Sequence, residues 1–308
     1  KIGRNDAFAL MDDYVEKGGT WIDTARVYCV ELFPPEKRQL DYVDSEEIIG
    51  EWVKSRKARD QVTIITKGAH WSLETKEKRV QAEAIRYDME LSLKKLDMDH
   101  VDIYFLHNDD ERTSVSEIMP VLHEFIQEGK ALAIGASNWR VDRILEANAF
   151  AKENSLTPFS ISQVKWSYAV PTERQAKPTI NMEASEREYE GYVESGIPVM
   201  GYSSQARGFF IKAALNGFDE HQLGGAATFL CEENIRRAKA VMEVSEKKGI
   251  SISAASQAYL WSRDIPVTAL VGCSSLEQLK SSMEDCDYEP DEVVKSILEE
   301  ARWQKTTT

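Results

Sequence analysis

Five short apolar runs, each ending on a polar residue able to do chemistry, constrain this chain more than any other feature. They are residues 20–23 (TWID), 62–67 (VTIITK), 101–107 (VDIYFLH), 131–138 (ALAIGASN) and 199–203 (VMGYS). Each has the length and composition of a buried parallel strand, and a helix-like stretch follows each one. In a parallel β/α barrel the strand ends converge on one mouth. Asp23, Lys67, His107, Ser137, Asn138 and Tyr202, far apart in sequence, are therefore expected to meet in one site.

The alternation runs almost the whole length of the 308 residues. Strands are expected at 20–25, 62–67, 101–107, 131–137, 160–166, 198–204 and 267–273. Helices are expected at 6–17, at 45–57 with Ser45 as its cap, near 76–96, and at 114–128. The last opens on the capping box Ser114/Glu117, closes on Gly129, and buries a stripe of Ile118, Leu122, Phe125 and Ile126. Further helices are expected at 139–153, 183–195, 232–248, 252–262 and 275–284, with a helical tail near 290–303. Long loops fall at 29–44, with Pro34-Pro35, and at 170–182, and a Gly-rich stretch runs to Gly224-Gly225. No repeat or linker divides the chain, so one domain over 1–308 is expected. The class is α/β, a (β/α)8 TIM barrel. Seven strands are read where a closed barrel takes eight, so either the barrel closes differently or, as the abrupt start in a helix favours, the first strand is expected upstream of Lys1.

Composition excludes some functions. Hydrophobic residues are 42% and charged residues 29%, as in a soluble protein. No apolar run approaches the roughly 18 residues of a membrane helix, and no signal peptide is expected. The net charge of −14, from 38 basic and 52 acidic residues, argues against nucleic acid or an anionic membrane as partner. A local basic cluster would still suffice for an anionic cofactor. Cys29, Cys231, Cys273 and Cys286 form no CxxC or zinc spacing, and read as reduced thiols of a cytoplasmic protein. Asn108, Asp109 and Asp110 follow His107, but no HxH, HExxH or EF-hand spacing occurs, and no metal is expected.

Asp23 and Lys67 end adjacent apolar strands, where a lone charge is expensive. They read either as a rim salt bridge or as a pair that sets the pKa of a third group. Tyr28, five residues past Asp23, is that third group if it is not an ordinary loop tyrosine. A nearby ammonium would lower its pKa and make it a usable general acid. His107 is either structural or a donor that orients a carbonyl oxygen. Ser137, Asn138 and Gln163 suit a carboxamide, although Ser137 also suits backbone capping. Tyr202 offers a face for stacking. Residues 203–208 (SSQARG) can wrap a pyrophosphate through backbone N–H groups and Arg207. Gly272 leads from the last strand into a helix N-terminus. No GxGxxG or GxxxxGK[ST] occurs.

Together these residues resemble the aldo-keto reductase family. The matches run in family order: residues 18–28 (GGTWIDTARVY), 45–52 (SEEIIGEW), 65–67 (ITK), 102–107 (DIYFLH), Gly129-Lys130, 134–138 (IGASN), Gln163, Tyr202-Ser203, 206–208 (ARG), Val271-Gly272 and 277–279 (EQL). The resemblance implies a (β/α)8 barrel with NADP, or NAD, as cofactor. It implies a catalytic tetrad of Asp23, Tyr28, Lys67 and His107. It implies that Ser137, Asn138 and Gln163 hold the carboxamide and that Tyr202 stacks on the nicotinamide. Ser203, Gln205, Arg207 and Gly208 then fall at the pyrophosphate, and Gly272, Ser274 and Gln278 at the adenosine end. The family's N-terminal hairpin and first strand have no counterpart here. Neither do a cation near Cys273 or Gln278 for a 2′-phosphate and a late Asn near Ser282.

The expected activity is NAD(P)H-dependent reduction of a small-molecule aldehyde, ketone or sugar carbonyl, with Tyr28 as general acid. Two alternatives remain open. One is a nicotinamide-binding regulatory subunit with little turnover; the other is a sugar-modifying enzyme that recycles its bound cofactor. Trp71, Trp139, Trp166 and the loop 29–44 are the expected substrate walls.

Overall fold

A computed structural model describes residues 2–28, 44–175 and 179–303. The expected loop 29–44, with Cys29, lies outside the described residues apart from Asp44, as do residues 176–178 of the loop 170–182. The described residues form two compact units, Lys1–Ser162 with Ser274–Leu276, and Gln163–Cys273 with Glu277–Thr308.

In the first unit, helix α1 (Arg4–Glu16) precedes β1 (Trp21–Asp23), α2 (Ser45–Arg56), β2 (Thr63–Gly68), α3 (Ala82–Leu96), β3 (Val101–Leu106), α4 (Val115–Gln127), β4 (Ala131–Ser137) and α5 (Val141–Glu153). The strand β5 (Ile161–Lys165) begins there. The pairs β1–β2, β2–β3 and β3–β4 are all parallel. Strand β2 is buried at every position but its first, as expected of a strand covered on both faces.

The register explains why the polar strand ends share a face. Asp23 pairs with Ile65, Lys67 with Phe105, and Phe105 with Gly135. Side chains two residues apart on a strand point the same way. The face that carries Asp23 and Ile65 therefore carries Lys67 and Phe105 one step on, and His107, Gly135 and Ser137 after that. Gly135 leaves room for this packing: a Cβ there would lie 2.5 Å from the Phe105 ring and 2.8 Å from the Ile161 carbonyl oxygen.

Helix boundaries depart from expectation where a side chain has a competing partner. The cap of α2 is Asp44, whose Oδ1 accepts from the Glu46 N–H at 3.0 Å. Ser45 is not the cap, because its hydroxyl bonds the Thr24 hydroxyl at 2.8 Å. Helix α3 starts at Ala82 rather than near residue 76, since Ser72–Glu77 closes a turn of its own and Lys76 takes a left-handed φ of 63°. The capping box of α4 forms, and Ile118, Leu122 and Phe125 are buried beneath it.

In the second unit, β6 (Val199–Tyr202) pairs in parallel with β7 (Val267–Ala269). Both are shorter than expected. The expected helix 183–195 is divided at Ser185 into a 3-10 turn, Met182–Ala184, and α6, Glu186–Ser195, because the Ser185 hydroxyl caps the latter. The Gly-rich stretch is helical. It holds α7 (Phe209–Asn216), α8 (Glu220–Leu223) and a 3-10 segment Gly224–Phe229. Helices α9 (Glu232–Lys248), α10 (Ile252–Trp261), α11 (Leu276–Met283) and α12 (Glu292–Trp303) follow. The last is tied down where the Tyr168 hydroxyl donates to the Leu298 carbonyl at 2.6 Å.

Parallel strands in chain order with helices between them define the (β/α)8 barrel class, and the chain has that fold, with seven strands among the described residues. No described helix is long and apolar enough to cross a membrane. Replacement of Gly135 by alanine should cost about 1–3 kcal/mol by overpacking, because the Ile161 backbone cannot give way. Urea unfolding of the variant beside the wild type measures that loss.

Candidate active site

The centre of the first unit's site is a buried ammonium. The Lys67 side chain is wholly inaccessible, and the Asp23 side chain is 8% accessible. Lys67 Nζ donates to Asp23 Oδ2 at 2.6 Å and to the Thr24 carbonyl at 2.7 Å. Glu46, also buried, accepts from the Thr66 hydroxyl at 2.6 Å and adds its charge to the field at Lys67. Burial lowers the Lys67 pKa, while Asp23 and Glu46 act to raise it.

Tyr28 lies in the short 3-10 turn after β1 (Arg26–Tyr28). Its ring centroid is 5.4 Å from Lys67 Nζ and 5.8 Å from the His107 ring, edge to face at 89°. Burial and then the Asp23 carboxylate raise the Tyr28 phenol above its ordinary value. With 43% of the residue open to solvent, Asp23 is the firmer of these two causes. The expected lowering is not found: burial, and then the Asp23 carboxylate, raise the phenol instead.

The His107 backbone N–H donates to the Gly68 carbonyl at 2.9 Å. Burial, then Lys67 and His70, push its imidazole well below the usual range. It is therefore neutral at neutral pH. Its Nδ1 is buried without a hydrogen-bond partner among the described residues.

His70 was not anticipated from sequence. Its ring stands 4.8 Å from His107 and 4.1 Å from Trp71, and its Nδ1 bonds the Trp71 carbonyl at 2.8 Å. Trp71, half-buried, thus reaches His107 through His70. Only the placement of His70 three residues past Lys67 hinted at this. Glu46 was missed as well, since an acidic residue in a first helical turn reads as a helix-dipole partner.

Trp139 and Trp166 do not form substrate walls, because both are fully buried. Trp139 packs on Phe159 at 5.3 Å and under the Arg143 guanidinium at 5.3 Å. Trp166 donates its indole N–H to Glu183 Oε1 at 3.3 Å, inside a buried ion-pair cluster. Ser137 is buried. Asn138 takes a left-handed φ of 57°, which asparagine tolerates, and donates from Nδ2 to the His107 carbonyl at 3.2 Å.

In the second unit, Tyr202, Ser203 and Arg207 line a cavity of about 140 Å3 with Lys165, Arg174, Gln175, Thr179, Thr228 and Phe229. Three of these nine residues are cations and none is a carboxylate, so the cavity suits an anion. Ser203, Ala206, Arg207 and Gly208 all adopt positive φ, the backbone habit of loops that turn N–H groups toward an anion. Gln205 does not line the cavity. Its amide is occupied by Ser253 Oγ at 2.6 Å and Ser282 Oγ at 3.1 Å. Gln163 is buried, with Nε2 3.8 Å from Met200 Sδ. Gly272, Ser274 and Gln278 are exposed.

The sequence model of the aldo/keto reductase family matches residues 1–301. A norsolorinic acid reductase of Emericella nidulans is 29% identical over 292 residues, 92% of this chain and 68% of its own length. A probable aryl-alcohol dehydrogenase of Saccharomyces cerevisiae is 31% identical over 294 residues, covering 92% of this chain and 83% of its own. Norsolorinic acid reductase A of Aspergillus parasiticus is 27% identical over 286 residues, 90% of this chain and 66% of its own. The chain thus spans about two thirds of the length of the two reductases.

Two consequences follow from burial. Lys67→Met strands the Asp23 carboxylate and should destabilise the fold by about 3–5 kcal/mol, read by urea unfolding. Asp109, in the turn after His107, is pushed up to about 6 by burial, against the pull of Arg143. Its folded pKa exceeds the unfolded value, so the folded state binds the extra proton between about pH 4 and 6 and stability falls as pH rises through that window. In Asp109→Asn that fall should shrink, as measured by urea midpoints at both ends of the window. An unchanged pH dependence would exclude Asp109 as its source.

Proposed function

Because the chain belongs to the aldo/keto reductase family, we propose that it is an oxidoreductase that reduces a carbonyl to an alcohol with NAD(P)H, Tyr28 acting as general acid. The observation that carries this reading is the grouping of Tyr28 with the buried Lys67–Asp23 pair and the neutral His107. The relatives named as reductases and an aryl-alcohol dehydrogenase support it. They favour an aromatic aldehyde or ketone as substrate, and the rings of Tyr28, His70 and Trp71 suit such a molecule.

A bound reduced nicotinamide would supply hydride to the carbonyl carbon. The chain's own residues handle the oxygen and its proton. His107 is neutral and stands 5.8 Å from the Tyr28 ring, so as a ring N–H donor it can take part in a hydrogen bond that orients the substrate. Tyr28, with its raised pKa, keeps its proton through neutral pH and holds it ready for the developing alkoxide. As that proton leaves, the Lys67 ammonium stabilises the growing phenolate charge. Asp23 and the Thr24 carbonyl hold the ammonium at the place where it does so.

For the cofactor we assign Ser137, Asn138 and Gln163 to the carboxamide and Tyr202 to the nicotinamide face. Ser203, Arg207 and Gly208 are assigned to the pyrophosphate. Gly272, Ser274 and Gln278 are assigned to the adenosine, with NADP ahead of NAD. The cation-lined cavity supports the phosphate part. Gln205 is set aside, since its amide is already bonded within the protein. Cys231, Cys273 and Cys286 are free thiols, which supports a cytoplasmic location as the proposal.

Tyr28→Phe should lower turnover of an aryl aldehyde with NADPH by about 10²–10⁴-fold while NADPH affinity, read by fluorescence titration, stays put. Undiminished turnover in that variant would overturn the mechanism.

A further inference from the structure

The loop after β2 is pinned where it leaves the strand. Ala69 takes a left-handed φ of 57°, a conformation that a residue other than glycine keeps only when its surroundings hold it. Asp88 on α3 does so. Its Oδ2 accepts from the Ala69 N–H at 2.8 Å and from Arg79 Nη1 at 3.0 Å, and its Oδ1 accepts from Arg79 Nη2 at 2.8 Å. Arg79 Nη1 also donates to the His70 carbonyl at 3.4 Å. The Asp88 side chain is 3% accessible. Gly68 allows its close approach, since a Cβ there would lie 2.8 Å from the Asp88 Cβ and 2.0 Å from the Tyr104 hydroxyl.

The side chain that this pinned loop presents to His107 is His70. The two rings stand 4.8 Å apart at 75°, and Trp71 is tilted against His70 at 4.1 Å. His70 Nδ1 lies 2.8 Å from the Trp71 carbonyl oxygen. A carbonyl only accepts, so Nδ1 carries the proton and Nε2 of the neutral ring is an acceptor. Among the described residues Nε2 has no hydrogen-bond partner, and it is not a buried atom. The titratable groups that face His70 are Lys76 and Arg79 on its own loop, Asp88 on α3 and His107 past the end of β3. Burial above all lowers the His70 pKa; the bond to the Trp71 carbonyl opposes this, Arg79 and Lys76 add to it, and Asp88 opposes it. Nε2 is therefore unprotonated at neutral pH.

We propose that His70 Nε2 is a specificity-determining contact that accepts a hydrogen bond from a hydroxyl of the substrate. The site then prefers an aromatic carbonyl that carries a hydroxyl donor over the same molecule with that donor blocked. Arg79 and Asp88 are the positioning residues of this contact. An acceptor held in place beforehand loses little freedom on binding, and a site built around one discriminates against a ligand that cannot donate to it. The proposal rests on the carbonyl-reduction reading for the aldehyde end of the substrate, but not for the hydroxyl contact.

The probes are 3-hydroxybenzaldehyde and 4-hydroxymethylbenzaldehyde, each paired with its methyl ether. The quantity read is the ratio of kcat/KM, hydroxyl over ether, with NADPH. Both members of a pair meet the same Tyr28, Lys67 and His107, so titration of those groups cancels from the ratio. His70→Phe, which keeps a ring and removes both nitrogens, should lower the ratio by about two- to tenfold in at least one pair, the worth of one neutral hydrogen bond. His70→Gln, which supplies a carbonyl acceptor that does not titrate, should restore it. As pH falls from about 8 to about 5 the wild-type ratio should fall, because protonated Nε2 donates and no longer accepts. In His70→Gln the ratio should stay level over that range. Near-ultraviolet circular dichroism checks that each variant folds, and the wild-type pH series needs no variant.

A ratio unchanged in His70→Phe, or a wild-type ratio level across the pH range, overturns the proposal. Absence of turnover of every probe by the wild type would instead defeat the proposed activity. The same pairs are then compared by dissociation constants from NMR titration, and equal hydroxyl preference in wild type and His70→Phe would overturn the hydroxyl contact there too.

Discussion

A lysine ammonium with no access to water is the interaction on which the first unit's site depends. Desolvation of such a charge costs several kcal/mol, and the surrounding chain is arranged to offset it. Asp23 at the end of β1 and the Thr24 carbonyl just past it accept from the ammonium, and Glu46 at the start of α2 adds its field. Each of these groups also fixes a backbone element. Thr24 bonds Ser45, which ties the end of β1 to the first turn of α2, and Glu46 bonds Thr66, beside Lys67 on β2. The charge and the strand register are thus one constraint. A register slip of one residue would turn Lys67 to the opposite face and break all of these contacts together.

The second unit has its own buried charge. Glu183 accepts the Tyr259 hydroxyl at 2.5 Å and the Trp166 indole at 3.3 Å. It pairs with Arg237 at 2.8 Å and lies 3.5 Å from Arg302 on α12. The side chains of Glu183 and Arg237 are 2% and 4% accessible. A single carboxylate thereby gathers a short 3-10 turn, α9, α10 and the C-terminal helix. This is also why Trp166, an inviting pocket wall by its place at a strand end, is a core residue.

Much of the site was legible from pattern. The apolar runs ending in Asp23, Lys67 and His107 form buried parallel strands, and the period-two rule puts those ends on one face. The capping box at Ser114 formed because Ser114 and Glu117 meet within one helical turn. Ser45 was misjudged as a cap because Thr24, distant in sequence, competes for its hydroxyl. Trp139 and Trp166 were misjudged because burial of a tryptophan depends on what packs over it. His70 was overlooked because its partners are rings brought together by two strands.

The sequence by itself determined the alternation of strand and helix, the polar residues at the strand ends and the family. Those depend on local periodicity and on residues in fixed order. Only the tertiary structure decided the protonation tendencies of Tyr28 and His107, which follow from burial and from charges on other strands. The same holds for the cavity that unites Lys165 with Arg207. Neither residue signals a shared wall on its own, because folding gathers a cavity's lining from residues far apart in sequence.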